Sequence, residues 1–75
     1  MSLFVLVTQE IAPPIKPPQI PYTAHTLREC QRLAVECNGG DAVLWRVLDD
    51  EDPSGAILFA KAINEHFWIH EIALP

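Results

Sequence analysis

The sequence predicts an α+β fold in the order β-α-β-β-β, a small antiparallel sheet with one helix packed on one face and a Pro-rich loop after the first strand. Three observations carry that expectation. Thr26-Leu-Arg-Glu29 is a capping-box signature, and the helix-period stripe that follows it is closed by Asn38-Gly39-Gly40. Runs rich in β-branched and aromatic residues are bounded by turn residues on either side. The chain has 75 residues, enough for one domain, which buries only about 60 to 65% of the surface its unfolded form exposes.

Residues 2–8, Ser-Leu-Phe-Val-Leu-Val-Thr, are too short for a packed helix and rich in strand formers, so they read as the first strand. Being apolar on both faces, that strand is expected inside the sheet or covered on both sides. Residues 9–21 hold Pro13, Pro14, Pro17, Pro18 and Pro21. Each removes an amide donor and pushes the residue before it toward extended geometry, which predicts an extended connection, either a functional loop or a strap laid over the core by Ile11, Ile15 and Ile20. The helix starts at the Thr26 cap and runs about three turns to Cys37. Leu27, Cys30, Leu33, Ala34 and Cys37 form its apolar stripe, and Arg28, Glu29, Arg32 and Glu36 lie off it. Residues 42–48 follow the Gly-Gly stop and precede the turn Asp49-Asp-Glu-Asp-Pro-Ser-Gly55, so they form the next strand.

Residues 56–61 and 67–73 read as two further strands joined through Asn64-Glu65-His66. The alternative, a single helix over 56–74, would be apolar on nearly every side, which so short a chain cannot bury. Phe67-Trp-Ile-His-Glu-Ile72 also has the aromatic and β-branched content of a strand. On the hairpin reading Trp68 and His70 share one face of the sheet, and Phe67, Ile69 and Glu71 share the other. The face away from the helix is then expected to show Trp45, Phe59, Trp68 and His70.

Ten acidic and five basic side chains give a net charge of −5. Domains that grip nucleic-acid phosphates draw affinity from clustered Lys and Arg, so direct nucleic-acid binding is not expected. No nucleophile elbow, phosphate-cradling glycine loop or dinucleotide fingerprint occurs, and neither an enzyme nor a cofactor is expected. Cys30 and Cys37 lie seven residues apart on the helix, about 10.5 Å along its axis, beyond the ~7 Å that a disulfide bridges. Free thiols in a reducing cytoplasm follow. His66 and His70 have the spacing of a helical zinc pair, but no Glu follows His66, and on a strand the rings stand about 13 Å apart, so no metal site is expected. The apolar stretch 3–7 is too short for a signal peptide or a membrane span. Pro14-Ile-Lys-Pro17 and Pro18-Gln-Ile-Pro21 lack the flanking basic residue that orients polyproline ligands, so a folded strap is the reading.

Four of the ten carboxylates, Asp49, Asp50, Glu51 and Asp52, fall in one turn. They are either a solvated turn that discourages aggregation or part of a negative surface extended by Asp41, Glu36, Glu65 or Glu71. Carboxylates on a rigid surface can occupy Arg and Lys sites that otherwise hold phosphates, and they steer association with a basic partner. The helix from Thr26 to Ala34, the Gly-Gly break, the strand ending in an acidic turn with Gly55, the run Ile57-Leu-Phe59 and the stretch from Asn64 to Trp68 together resemble, in architecture and size, small acidic phage-encoded anti-CRISPR proteins. The resemblance covers residues 26–72 and implies a non-enzymatic inhibitor in the host cytoplasm. Such an inhibitor would dock on the basic, DNA-receiving surface of a CRISPR surveillance complex by imitating DNA charge. The expected partner-binding residues are Asp49, Asp50, Glu51, Asp52, Glu65 and Trp68. The rival expectation is a self-associating structural or adaptor module, a homodimer built on exposed aromatics, because 49% hydrophobic residues exceed what so small a core hides.

Overall fold

The apolar N-terminal run forms β1 (Ser2–Glu10), and the computed structural model, which describes residues 1–75, places it second from one edge of a single five-stranded sheet. The other strands are β2 (Gln19–Ala24), β3 (Trp45–Val47), β4 (Leu58–Lys61) and β5 (Glu65–Ala73), with one helix, α1 (Leu27–Cys37), between β2 and β3. Spatial order is β2-β1-β5-β4-β3, with every neighbouring pair antiparallel. The fold is the expected α+β sheet with one helix, and its last three strands form the expected meander. Glu65–Ala73 is a strand, at the centre of the sheet, and the helical alternative for the C-terminal third falls. No helix is long and apolar enough to cross a membrane.

One strand more than expected is present. β2 arises from the end of the Pro-rich segment and pairs with β1 as a hairpin, Phe4 opposite Ala24 and Leu6 opposite Tyr22. Pro21 survives in it because β2 is an edge strand and the register slips between the Leu6 and Thr8 pairings, so the missing amide falls at a bulge. The strap over the core is also smaller than expected. Ile11 is half-buried and its amide donates to the Asn64 carbonyl at 3.0 Å, but Ile15 and Ile20 are exposed.

The helix begins where its cap predicts. The Glu29 amide donates to Thr26 Oγ1 at 3.2 Å, while the Glu29 carboxylate turns instead to Arg32, so the reciprocal half of the capping box is not made. Gly39 and Gly40 end the helix with positive φ, and the Gly40 amide closes the last turn on the Val35 carbonyl at 2.9 Å. Thr26→Ala should cost about 1 kcal/mol in urea denaturation, and a loss below ~0.3 kcal/mol would show the cap to be dispensable.

The core lies between α1 and one face of the sheet. Leu6, Leu58, Ala60, Phe67 and Ile69 meet Cys30 and Ala34 of the helix there, with Leu27, Leu33 and Cys37 packed around them. Trp45 belongs to this side. It pairs with Ala60, which is 1% exposed, and packs against the core, contrary to the expectation that it would face outward. The reason is parity: β3 has three residues, and its alternation is fixed by the register with β4 rather than by its own pattern.

Candidate functional site

The acidic residues divide by role once the turn between β3 and β4 is folded. Asp49 accepts the Glu51 amide at 3.0 Å and Asp52 accepts the Ser54 amide at 2.9 Å, so both carboxylates bend inward onto their own backbone. The Ser54 hydroxyl and then its amide hold the Asp52 carboxyl below its ordinary value, with Arg46 adding a smaller pull. Asp50 and Glu51 make no such bonds and are exposed. None of the four is ion-paired, since the only salt bridges are Lys16 to Glu10 and Arg32 to Glu29 and Glu36.

Trp68 and Glu65 do not join this turn. The Ile57 amide donates to the Ile69 carbonyl at 2.8 Å, which anchors the turn at the level of Ile69. Glu65 lies four residues earlier on β5, about 13 Å along the strand. It also lies on the helix side, directly opposite Glu10, while Trp68 faces away from the helix. The proposed interface residues therefore occupy three separate places.

The sheet face turned away from α1 carries a cluster of rings. Phe59, His66 and Trp68 meet at centroid distances of 5.3 to 5.8 Å, the two contacts of His66 edge-to-face. The Arg46 guanidinium sits over the Phe59 ring at 5.7 Å. His66 Nε2 is buried there without a hydrogen-bond partner. Register sorts the strand charges by face. Glu10, Glu65 and Glu71 all lie on the helix side, whereas Arg46 and Lys61 lie on the open side with His66 and His70. The strand carboxylates and the ring cluster therefore lie on opposite faces of the sheet. Period-two alternation within each strand could have shown this, given the pairing; the pairing itself was not legible.

A polar cavity of about 310 Å³ opens at the far end of the sheet, lined by Thr8, Glu10, Lys16, Pro17, Gln19 and Glu65. Lys16 Nζ stands 3.4 Å from the Glu10 carboxylate, and Gln9 Nε2 donates to the Lys16 carbonyl at 3.1 Å, which fixes the Pro-rich loop as one wall. No motif in the sequence pointed to this cavity, because its residues come from β1, β2, β5 and the loop.

Neither cysteine is set up as a nucleophile. Burial pushes the Cys30 thiol up to about 11, and burial followed by the nearby Glu65 and Glu36 charges also raises Cys37. No three side chains among His, Cys, Asp and Glu are grouped so as to hold a metal ion. Comparison with known proteins returned no matching family model, no matching curated protein and no matching solved structure.

Proposed function

We propose that the chain is a non-enzymatic protein-binding inhibitor that docks an acidic surface on a basic, nucleic-acid-receiving surface of a bacterial defence complex, of the anti-CRISPR type. The observation that carries this reading is the state of the carboxylates. Only Glu10, Glu29 and Glu36 are ion-paired, so seven of the ten acidic side chains stand uncompensated, and four of these sit in one turn. That arrangement favours steered association with a cationic surface. The likeness in size and architecture to phage anti-CRISPR proteins supplies the partner class.

The division of labour in the turn selects the variant to make. Asp49 and Asp52 brace the backbone, so the pair to reverse is Asp50→Lys with Glu51→Lys. Association with a purified CRISPR surveillance complex should slow about tenfold or more at low ionic strength, with the difference shrinking as salt is raised. An unchanged association rate at all salt concentrations would remove the electrostatic reading. Target-DNA binding by the complex that proceeds normally with this protein in excess would remove the inhibitory one.

A second reading, self-association through the open sheet face, is favoured by the Phe59, His66 and Trp68 cluster and by exposed Leu44 beside the β3 edge. Against edge pairing, an antiparallel β3–β3 contact centred on Arg46 would set two guanidinium groups opposite one another. Light scattering at micromolar concentration separates the two readings. A monomer supports the heterologous partner, and a dimer supports self-association.

A further inference from the structure

We infer that the sheet face turned away from α1 is a binding surface for single-stranded nucleic acid, with bases stacked on Phe59 and Trp68 and phosphates held by Arg46 and Lys61. This goes beyond the acidic-surface reading and concerns side chains outside the acidic turn.

Strand pairing lays this face out in two adjacent rows. Arg46, Phe59, Trp68 and Val7 are direct cross-strand neighbours from β3 through β4 and β5 to β1. Lys61, His66 and Gln9 form the next row, about 6.6 Å further along the strands. Rings therefore hold the middle of the face and cations its β3–β4 side. No strand residue on this face is acidic, because register sends Glu10, Glu65 and Glu71 to the helix side. Arg46 and Lys61 are exposed and neither is in a salt bridge, the acidic turn feeling Arg46 only as a minor pull on Asp52. The net charge of −5 weighs against nucleic acid for the chain as a whole, but on this face both formal charges are positive. A cavity of about 280 Å³ opens beside the two cations, lined by Leu44, Arg46, Phe59, Ala60 and Lys61. His66 Nε2, the one buried side-chain polar atom of the chain without a hydrogen-bond partner, lies in the adjoining ring cluster. The chain leaves this face apolar at its centre, cationic along one side and incompletely hydrogen-bonded.

Charge and ring geometry decide among occupants. A purely apolar partner would leave Arg46 and Lys61 without counter-charges. An acidic peptide would satisfy the two cations and make no use of the ring platform. A duplex keeps its bases stacked on one another and offers only phosphates, which two cations hold poorly. A single strand brings phosphates and free π-faces together, and aromatic side chains flanked by cations are the surface on which unpaired bases stack. The Arg46 guanidinium already lies over the Phe59 ring at 5.7 Å, so a planar cation extends the platform. Phe59 and Trp68 stand on directly paired strands, and little ordering is required on binding. The acidic turn repels phosphates, which directs the bound strand across the Lys61 row and away from Asp50 and Glu51.

The test is a titration of the full chain into a fluorescently labelled single-stranded oligothymidylate, read by anisotropy, with unlabelled duplex DNA and poly-L-glutamate as competitors. Saturable binding is expected, weakening about sevenfold between roughly 50 and 200 mM salt, the dependence that two phosphate contacts on a single strand produce. Trp68→Ala and Phe59→Leu, which remove a ring face each, should each weaken binding about tenfold. Arg46→Gln combined with Lys61→Gln should weaken it about tenfold and flatten the salt dependence. Arg28→Gln, which removes an exposed cation on α1, should leave it unchanged. Because Arg46 and Lys61 are exposed, the double variant keeps its fold, which thermal denaturation checks. No saturable binding, unchanged affinity in the double variant, an equal loss in Arg28→Gln, or poly-L-glutamate competing as well as the unlabelled oligonucleotide would overturn the assignment. Absent binding together with a dimer in light scattering would give the face to a second copy of the chain. The probe needs no partner protein, so failure here leaves the Asp50 and Glu51 experiment standing, and failure there leaves this one standing.

Discussion

Phe67→Ala should bring the chain to the edge of unfolding. Phe67 is the largest fully buried side chain, on the central strand β5 and part of the helix-side core. Truncating a buried phenylalanine costs about 3 to 5 kcal/mol. A chain of this length has a total stability of about 4 to 11 kcal/mol, so between roughly a quarter and all of it is removed. In a domain this small the midpoint of thermal unfolding should drop by roughly 12 to 40 °C, or the cooperative transition should vanish. A drop of less than about 5 °C would mean that the helix-side cluster is not the core. The neighbouring Trp68→Ala provides the contrast. Its indole faces the other way, half-buried against Phe59 and His66, and its removal should cost only about 1 to 2 kcal/mol and leave a folded chain. A folded Trp68→Ala protein that no longer binds its partner would place the open face at the interface, alongside or in place of the acidic turn.

Stability should fall steeply between about pH 9 and pH 11, and Cys30 should be a main cause. The thiol is fully buried between α1 and the sheet, and burial raises it from 9.0 to about 11. The folded state therefore holds the proton more tightly than the unfolded chain. Below pH 9 both states are protonated and the thiol contributes its full packing. As the pH rises past 9 the unfolded chain gains by ionising, and the folded chain cannot follow until about 11. The loss across that window is about 2 to 3 kcal/mol. Urea midpoints measured from pH 8 to pH 11 should fall for the native chain and fall less for Cys30→Ala, which starts lower because it leaves a small cavity but has no thiol to ionise. Parallel pH profiles for the two proteins would sink this account. In the same range Cys37, only half-buried, should be alkylated well before Cys30.

The elements whose signals are local were legible. Thr26, the Leu27 to Cys37 stripe and Gly39-Gly40 specify α1 within a few turns of chain, and the helix forms between those signals. The last two strands could be read because a helix there would have been apolar on every side, and their alternation separated Phe67 and Ile69 from Trp68 and His70 as found. β2 was not legible. Pro21 argues against a strand unless that strand is at an edge and the proline falls at a bulge, and both conditions are properties of the assembled sheet.

The candidate sites divide along the same line. Composition and local signals specify an acidic chain with one capped helix and four carboxylates in a single turn, and they favour a C-terminal hairpin over a helix without deciding between them. The folded turn sets Asp49 and Asp52 against their own backbone while Asp50 and Glu51 stay free of it, and that depends on the three-dimensional structure. It alone turned Trp45 inward and sent Trp68 to the face opposite Glu65. It alone brought Glu10 from the first strand against Glu65 of the last, with Thr8, Gln19 and Lys16 around them. Caps and periodicity act over one or two turns of chain, so they are written where they operate. Register and face are set by pairing between distant segments, where a shift of one residue moves every side chain to the other side of the sheet.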